Sequence, residues 1–163
     1  MEKDRSKIRM IAYGGIIAAL YAVLTIAFEP ISYGEVQLRV SEALIILPMF
    51  TPAAIPGLFI GCVLANILGG GVIWDVIFGS IATLIGAVFS YMLRKNRWLV
   101  PIPAVLSNTV IIPLVLRFGY GFTDIPYLLQ VVYIFAGEVA GCYILGELLA
   151  AVLLPHRDRI FSR

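Results

Sequence analysis

The sequence predicts an all-α integral membrane protein, a single bundle of six transmembrane helices with both termini on the cytoplasmic side. Three observations predict it. Hydrophobic residues make up 61% of the 163 and charged residues 13%, against about 45–50% and about 25% in soluble domains. The mean hydropathy is +0.97. Turn residues and charges divide the chain into six apolar stretches, and one bilayer crossing takes about 20 residues. Finally, Lys3, Arg5, Lys7 and Arg9 precede the first stretch, Arg94, Lys95 and Arg97 follow the fourth, and Arg157, Arg159 and Arg163 follow the sixth. An even helix number puts these three groups on one side, the cytoplasmic one, and leaves only Arg39 and Arg117 outside.

The helices are expected at roughly 8–28, 38–50, 53–69, 75–93, 99–117 and 125–154, forming one membrane domain over 1–163. The first is longer than a signal-peptide core and ends in Glu29-Pro30 without a small-x-small cleavage site, so it reads as an uncleaved helix. The second is short and bounded by Pro48 and Pro52, with its polar start at Gln37. Helix three carries Gly57, Gly61, Ala65 and Gly69 at helix spacing and stops at Gly69-Gly70-Gly71. Helix four opens at Asp75 and ends before Arg94. Ser107 and Asn108 sit in the middle of helix five, where they read as interhelical hydrogen-bonding groups. The last stretch is long enough to tilt strongly or to outreach the bilayer.

Small residues also recur in the first helix at Gly14, Ala18 and Ala22. Such a stripe allows close backbone approach. It serves either packing within the chain or docking of a second protein.

The motifs of nucleotide-driven and hydrolytic enzymes, GxxxxGK[ST], GxSxG and HExxH, do not occur in the chain. An enzyme is not expected, and neither is a cofactor or metal. Cys62 and Cys142 lie in separate apolar runs without metal or redox spacing and read as packing residues. His156 lies in the basic tail. Active transport would therefore draw on a partner or an ion gradient.

Polar side chains in the apolar stretches are the functional signal, because a charge at the bilayer centre costs roughly 2.5–3.5 kcal/mol on insertion scales. Gln37, Arg39, Glu42, Asn66, Asp75, Gln130 and Glu138 come from different helices and fall toward the outer half under the topology above. Each also has a structural reading. Arg39 and Glu42 are spaced for a helix-surface ion pair, Asp75 for capping a helix start, and Asn66 and Gln130 for bridging helices. Tyr33 and Trp74 are either site aromatics or members of an interfacial belt. Nine residues separate Glu138 from Glu147, a net half turn of helix at about 100° per residue. They face opposite ways, and Gly137 and Gly141 are expected to open space beside Glu138. Glu147 belongs near the cytoplasmic end.

Ordered blocks of sequence add a resemblance. Ser32-Tyr33-Gly34 is followed by Val36-Gln37-Leu38-Arg39-Val40-Ser41-Glu42-Ala43-Leu44, then by Ala54-Ile55-Pro56-Gly57-Leu58-Phe59-Ile60-Gly61-Cys62 and Ala65-Asn66. With Trp74-Asp75, Phe78-Gly79-Ser80-Ile81-Ala82-Thr83-Leu84 and Gly137-Glu138, the chain resembles the QueT family of queuosine-precursor transporters over about Ala12 to Gly146. The resemblance implies a bacterial cytoplasmic-membrane subunit of an energy-coupling-factor (ECF) transporter. Such a subunit captures a 7-deazaguanine, 7-aminomethyl-7-deazaguanine or its 7-cyano analogue, from outside. It also implies partners, a transmembrane coupling protein and two ATPases, engaged through small-residue surfaces on helix 1, here Gly14, Ala18 and Ala22. Glu42, Asp75 and Glu138 would then supply carboxylates to the base and its amine. Tyr33, Trp74 or Tyr133 would supply aromatic faces, and Asn66 or Gln130 would meet the remaining polar edge. Gln37 and Arg39 complete the expected site. Another vitamin or base as ligand, and a stand-alone oligomeric channel or permease, are the alternatives.

Overall fold

The computed structural model describes residues 2–32 and 37–161, and every regular element among them is helical. In chain order the α-helices are α1 (Glu2–Ala27), α2 (Glu29–Ser32), α3 (Ala54–Leu68), α4 (Ser80–Met92), α5 (Ile102–Phe118), α6 (Tyr127–Glu138), α7 (Gly146–Leu153) and α8 (Arg157–Ile160). A 3-10 helix, Val40–Met49, precedes α3. One π-helical turn, Asp75–Gly79, leads into α4, and another, Val139–Leu145, joins α6 to α7.

Among the described residues four continuous helical runs are long and apolar enough to cross a membrane: Ser6–Ala27, Asp75–Met92, Arg97–Phe118 and Tyr127–Ile160. Val40–Met49 and Ala54–Leu68 are shorter apolar helices. At about 2.0 Å per residue the ten-residue 3-10 helix spans about 20 Å, and at 1.5 Å per residue α3 spans about 22 Å. Both fall short of a hydrocarbon core of about 30 Å.

The 3-10 helix is the centre of the molecule. It touches α1, α3, α4, α7 and the Val139–Leu145 π turn, and every residue from Ser41 to Pro48 is buried. With three residues per turn its side chains form three rows, namely Ser41, Leu44, Leu47; Glu42, Ile45, Pro48; and Ala43, Ile46, Met49. Burial of all three rows demands neighbours on every side, and the outer helices supply them. Their opposite faces are apolar and exposed: Ile8, Ile11, Ile16, Leu20 and Val23 on α1 are examples. A membrane protein presents that outward face to lipid.

The small-residue stripe of α1 faces inward. Ala18 and Ala22 are buried, and a side chain added at Gly61 would meet Tyr21 Cβ at 2.7 Å and the Ala18 carbonyl oxygen at 2.8 Å. A Cβ at Gly57 would meet the Gly14 carbonyl oxygen at 2.8 Å. Gly14 and Ala18 therefore pack against α3 of the same chain, and Ala22 is buried in the same core. The small-residue stripes on α1 and α3 are complementary, Gly57 facing Gly14 and Gly61 facing Ala18. The α4–α5 contact works alike. A Cβ on Gly86 would lie 2.8 Å from Ala104 Cα, and Ser107 Oγ donates to the Ala82 carbonyl at 2.9 Å.

At the other end the tail folds back. Tyr13 donates to the Ile160 carbonyl at 2.6 Å, and Phe161 stacks on Phe50 with centroids 5.2 Å apart. Glu147 pairs with Arg97 at 2.7 Å, tying α7 to the start of the α5 run.

Candidate functional site

Buried polar side chains form a strip through the bundle interior, with two nodes joined by residues 39–42. The first node is built on Asp75. Arg39 Nη2 lies 3.3 Å from Asp75 Oδ2, and Tyr120 donates its hydroxyl to the same oxygen at 3.2 Å. Arg39 Nε also donates to the Ser32 carbonyl at 3.3 Å. Asn66 Nδ2 donates to the Asp75 carbonyl at 3.0 Å. Asp75 makes no helix cap; its carboxylate is turned inward to the guanidinium. A Cβ at Gly79 would stand 2.6 Å from Asp75 Oδ1, so any larger residue there would push the carboxylate aside. The π turn Asp75–Gly79 thus carries both the carboxylate and the gap it occupies, a placement in keeping with the concentration of π turns at functional sites.

Tyr120 belongs to the connection after α5 and lies outside the membrane-crossing runs. It accepts from the Val72 backbone at 3.3 Å and stacks on Phe122. Burial, and next the adjacent Asp75 charge, push its hydroxyl above the ordinary value of 10.0. Gln130 Nε2 donates to the Phe122 carbonyl at 2.8 Å, so the same connection is pinned to α6.

The second node is built on Glu42 and Glu138. Tyr21 donates a short hydrogen bond to Glu42 Oε1. Thr25 donates to the Ser41 hydroxyl at 2.6 Å. Asn108 Nδ2 donates to Glu138 Oε2 at 3.0 Å, and the Cys142 thiol donates to the same oxygen at 3.4 Å. One ligand atom from each of Glu42, Glu138 and Cys142 lies within 4.8 Å of the other two.

The glycines beside Glu138 do something other than open space. A Cβ on Gly141 would lie 2.9 Å from the Arg39 carbonyl oxygen and 3.3 Å from Glu42 Cβ, and one on Gly137 would collide with the Gln37 carbonyl oxygen. Their gap is filled by the backbone of residues 37–42, so they seat Arg39 and Glu42 against the last helix run. That corrects the expectation of an open space there.

Several acceptors in the strip have no hydrogen-bond partner among the described residues: Glu42 Oε2, Asp75 Oδ1, Asn108 Oδ1 and Gln130 Oε1. Ser80 and Thr109 hydroxyls, one Arg117 nitrogen and Glu147 Oε1 are the other buried unpartnered side-chain atoms.

Of the residues singled out by sequence, Gln37, Arg39, Glu42, Asn66, Asp75, Gln130 and Glu138 are all buried. Arg39, Asn66 and Asp75 share the first node; Glu42 and Glu138 share the second. Trp74 is elsewhere. It is half exposed, stacks on Phe78 and lines an apolar groove of about 480 Å³ with Leu114 and Phe118, a groove with no carboxylate among its lining residues. Its size and apolar neighbours place it at the outer surface, where the interfacial-belt reading applies. Tyr133 is half-buried on α6. Tyr33 lies outside the described residues. The residues that sequence reasoning missed are Tyr21, Thr25 and Tyr120, and it took Cys142 for packing and Asn108 for interhelical bonding alone. Tyr21 and Thr25, four apart on a run that also carries Ala18 and Ala22, offered a signal: polar groups on the inward face of α1.

Comparison with known proteins identifies the family. The profile of a family described as QueT transporter matches residues 11–155. A queuosine precursor transporter QueT from Lactococcus lactis subsp. cremoris (strain MG1363) is 40% identical over 84 residues, covering 50% of this chain and 48% of that protein. The match thus spans about half the length of that relative. No solved structure matches the chain. With inward carboxylates, an outward apolar surface and a family profile covering most of its length, this multi-pass chain belongs to the QueT transporter family.

Proposed function

We propose that the chain is the substrate-binding subunit of an ECF-type importer in a bacterial cytoplasmic membrane. It would take a queuosine precursor, 7-aminomethyl-7-deazaguanine or 7-cyano-7-deazaguanine, from outside. In this reading six helices cross the membrane, both termini are cytoplasmic, and a transmembrane coupling protein with two ATPases supplies the work. The name of the Lactococcus relative supports the substrate class.

The observation that carries the reading is the surplus of buried acceptors. Glu42 Oε2, Asp75 Oδ1, Asn108 Oδ1 and Gln130 Oε1 have no donor among the described residues, and an unsatisfied buried polar group costs about 1–3 kcal/mol. A 7-deazaguanine offers what they lack: a ring N–H beside an exocyclic amine, and a pyrrole N–H. Adjacent N–H donors suit a carboxylate that accepts through two oxygens. Arg39, Asn66 and Gln37 flank the same strip and meet the carbonyl edge.

The test is mass spectrometry of small molecules retained when the chain is purified in mild detergent. The expected companion is a 7-deazaguanine. A flavin, thiamine or biotin would reassign the ligand. Uptake by the chain alone in liposomes, without ATPases, would instead identify a stand-alone permease.

A further inference from the structure

The Asp75–Met92 run leads away from the polar strip to residues 94–98, and beside them a groove of about 190 Å³ opens on the bundle surface. Ile102 and Leu106 of α5 form one wall, Phe135, Val139 and Tyr143 of the last run form the other, and the buried Val105 forms the floor. Spacings of three and four residues put each set on one helix face. α5 packs closely along α6 and only thinly along the Val139–Leu145 π turn that follows, so the groove lies where the helices part. Leu106 and Phe135 remain about half exposed, at 57% and 46%.

One end of this apolar groove is charged. Tyr143 donates its hydroxyl to the Trp98 carbonyl at 3.0 Å, which ties residues 94–98 to that end. Trp98 is exposed, and the Arg97 guanidinium lies 4.7 Å over its ring while pairing with Glu147 at 2.7 Å. Arg94 stacks over Tyr91 at 4.0 Å, and both Arg94 and Lys95 are exposed. Three cations thus accompany one carboxylate, an excess of two positive charges. Exposed Trp and Tyr rings beside stacked arginines suit a membrane–water interface.

Length and charge select the occupant. From Phe135 to Tyr143 the groove runs about 12 Å at 1.5 Å per residue. That lies within one leaflet, about half of a hydrocarbon core of about 30 Å, and is shorter than a spanning helix of about 20 residues would need. Basic pockets between helices at the cytoplasmic surface take anionic lipid headgroups. Resting on the topology proposed above for the side of the membrane, and on no particular small molecule, we infer that the chain holds one anionic phospholipid here. Its acyl chain lies in the groove between α5 and the π turn, and its phosphate meets Arg94 and Lys95. The arginine offers two parallel N–H bonds to phosphate oxygens, and the lysine a point charge. A zwitterionic lipid brings its own cation and leaves the excess charge unanswered.

Native mass spectrometry of the purified full chain, titrated with phosphatidylglycerol and phosphatidylcholine of identical acyl chains, reads the site directly. One phosphatidylglycerol should be retained at least about tenfold more tightly, since each basic residue near an anionic surface contributes about fivefold. Arg94→Gln combined with Lys95→Gln should bring the two lipids level. Arg157→Gln combined with Arg159→Gln, on the tail, should keep the preference. Leu106→Trp, which fills the groove from an exposed position, should strip the bound lipid whatever its headgroup, and Phe135→Ala, which removes part of the opposite wall, should weaken it. Equal retention of the two lipids, an equal loss of preference in the tail variant, or unchanged retention in either groove variant would overturn the site. Competition by glycerol 3-phosphate at the lipid's own concentration would put a soluble anion in its place and overturn it as well. Deazaguanine retention, read from the same spectra, tests the proposed capture separately, so either can fail with the other intact.

Discussion

Arg39 and Asp75, 36 positions apart in the chain, meet at 3.3 Å with side chains 4% and 1% exposed. This contact joins the segment leading into the central 3-10 helix to the π turn that opens α4. Removing one partner of a buried pair strands the other charge, at a cost of about 3–5 kcal/mol. Asp75→Ala should therefore lower the unfolding temperature in detergent far more than an exposed substitution. Asp75→Asn, which keeps an acceptor for Tyr120, should cost less. Equal unfolding temperatures for wild type and Asp75→Ala would show that the pair does not form.

A Cβ added at Gly141 would stand 2.9 Å from the Arg39 carbonyl oxygen. Gly141→Ala should displace residues 39–42 and destabilise by about 1–3 kcal/mol, the usual range for overpacking. Gly15, with nothing within 4 Å of an added Cβ, is the matched control: Gly15→Ala should be neutral or stabilise by up to about 1 kcal/mol. Thermal melts of the two variants side by side check the contrast.

The α1–α3 seam makes a separate prediction. Because Ala18 is buried against Gly61, Ala18→Leu should destabilise the isolated chain by about 1–3 kcal/mol through overpacking. Were the stripe a partner surface, the isolated chain would melt as wild type and only assembly would suffer.

Tyr120 ties the α5–α6 connection to Asp75, and its hydroxyl is raised above 10.0 first by burial. A raised phenol holds its proton in the folded state after the unfolded chain has lost it. Its contribution is complete below about pH 10 and is lost as pH climbs through the folded value. Wild type should thus lose stability above pH 10 more steeply than Tyr120→Phe, whose melting temperature should be lower at pH 8 and converge on wild type at high pH. Parallel pH profiles would contradict this.

The helical character and the inward polar residues were legible in sequence because hydropathy and turn residues act locally. Glu42 and Glu138 could be nominated on cost alone: a carboxylate in an apolar run needs a reason. What was not legible depended on three-dimensional partners. The spacing of the α1 stripe does not say what lies opposite it, and the complementary glycines Gly57 and Gly61 on α3 do. Gly137 and Gly141 signal a close approach without saying what approaches, and the answer is backbone from residues 37–42. Tyr120 sits in a connection where an aromatic carries no periodic signal. The segment 40–49 reads as helix by its apolar content, and apolar content alone does not distinguish the 3-10 form it adopts from an α-helix.

The most direct test of the central claim is equilibrium binding of 7-aminomethyl-7-deazaguanine to the purified chain without coupling protein or ATPases. The account predicts saturable one-to-one binding, weakened at least about tenfold by Glu42→Gln, since hydrogen bonds to charged groups contribute about 1.5–3 kcal/mol, and unchanged by Gly15→Ala. Absence of saturable binding, or wild-type affinity in Glu42→Gln, would contradict it.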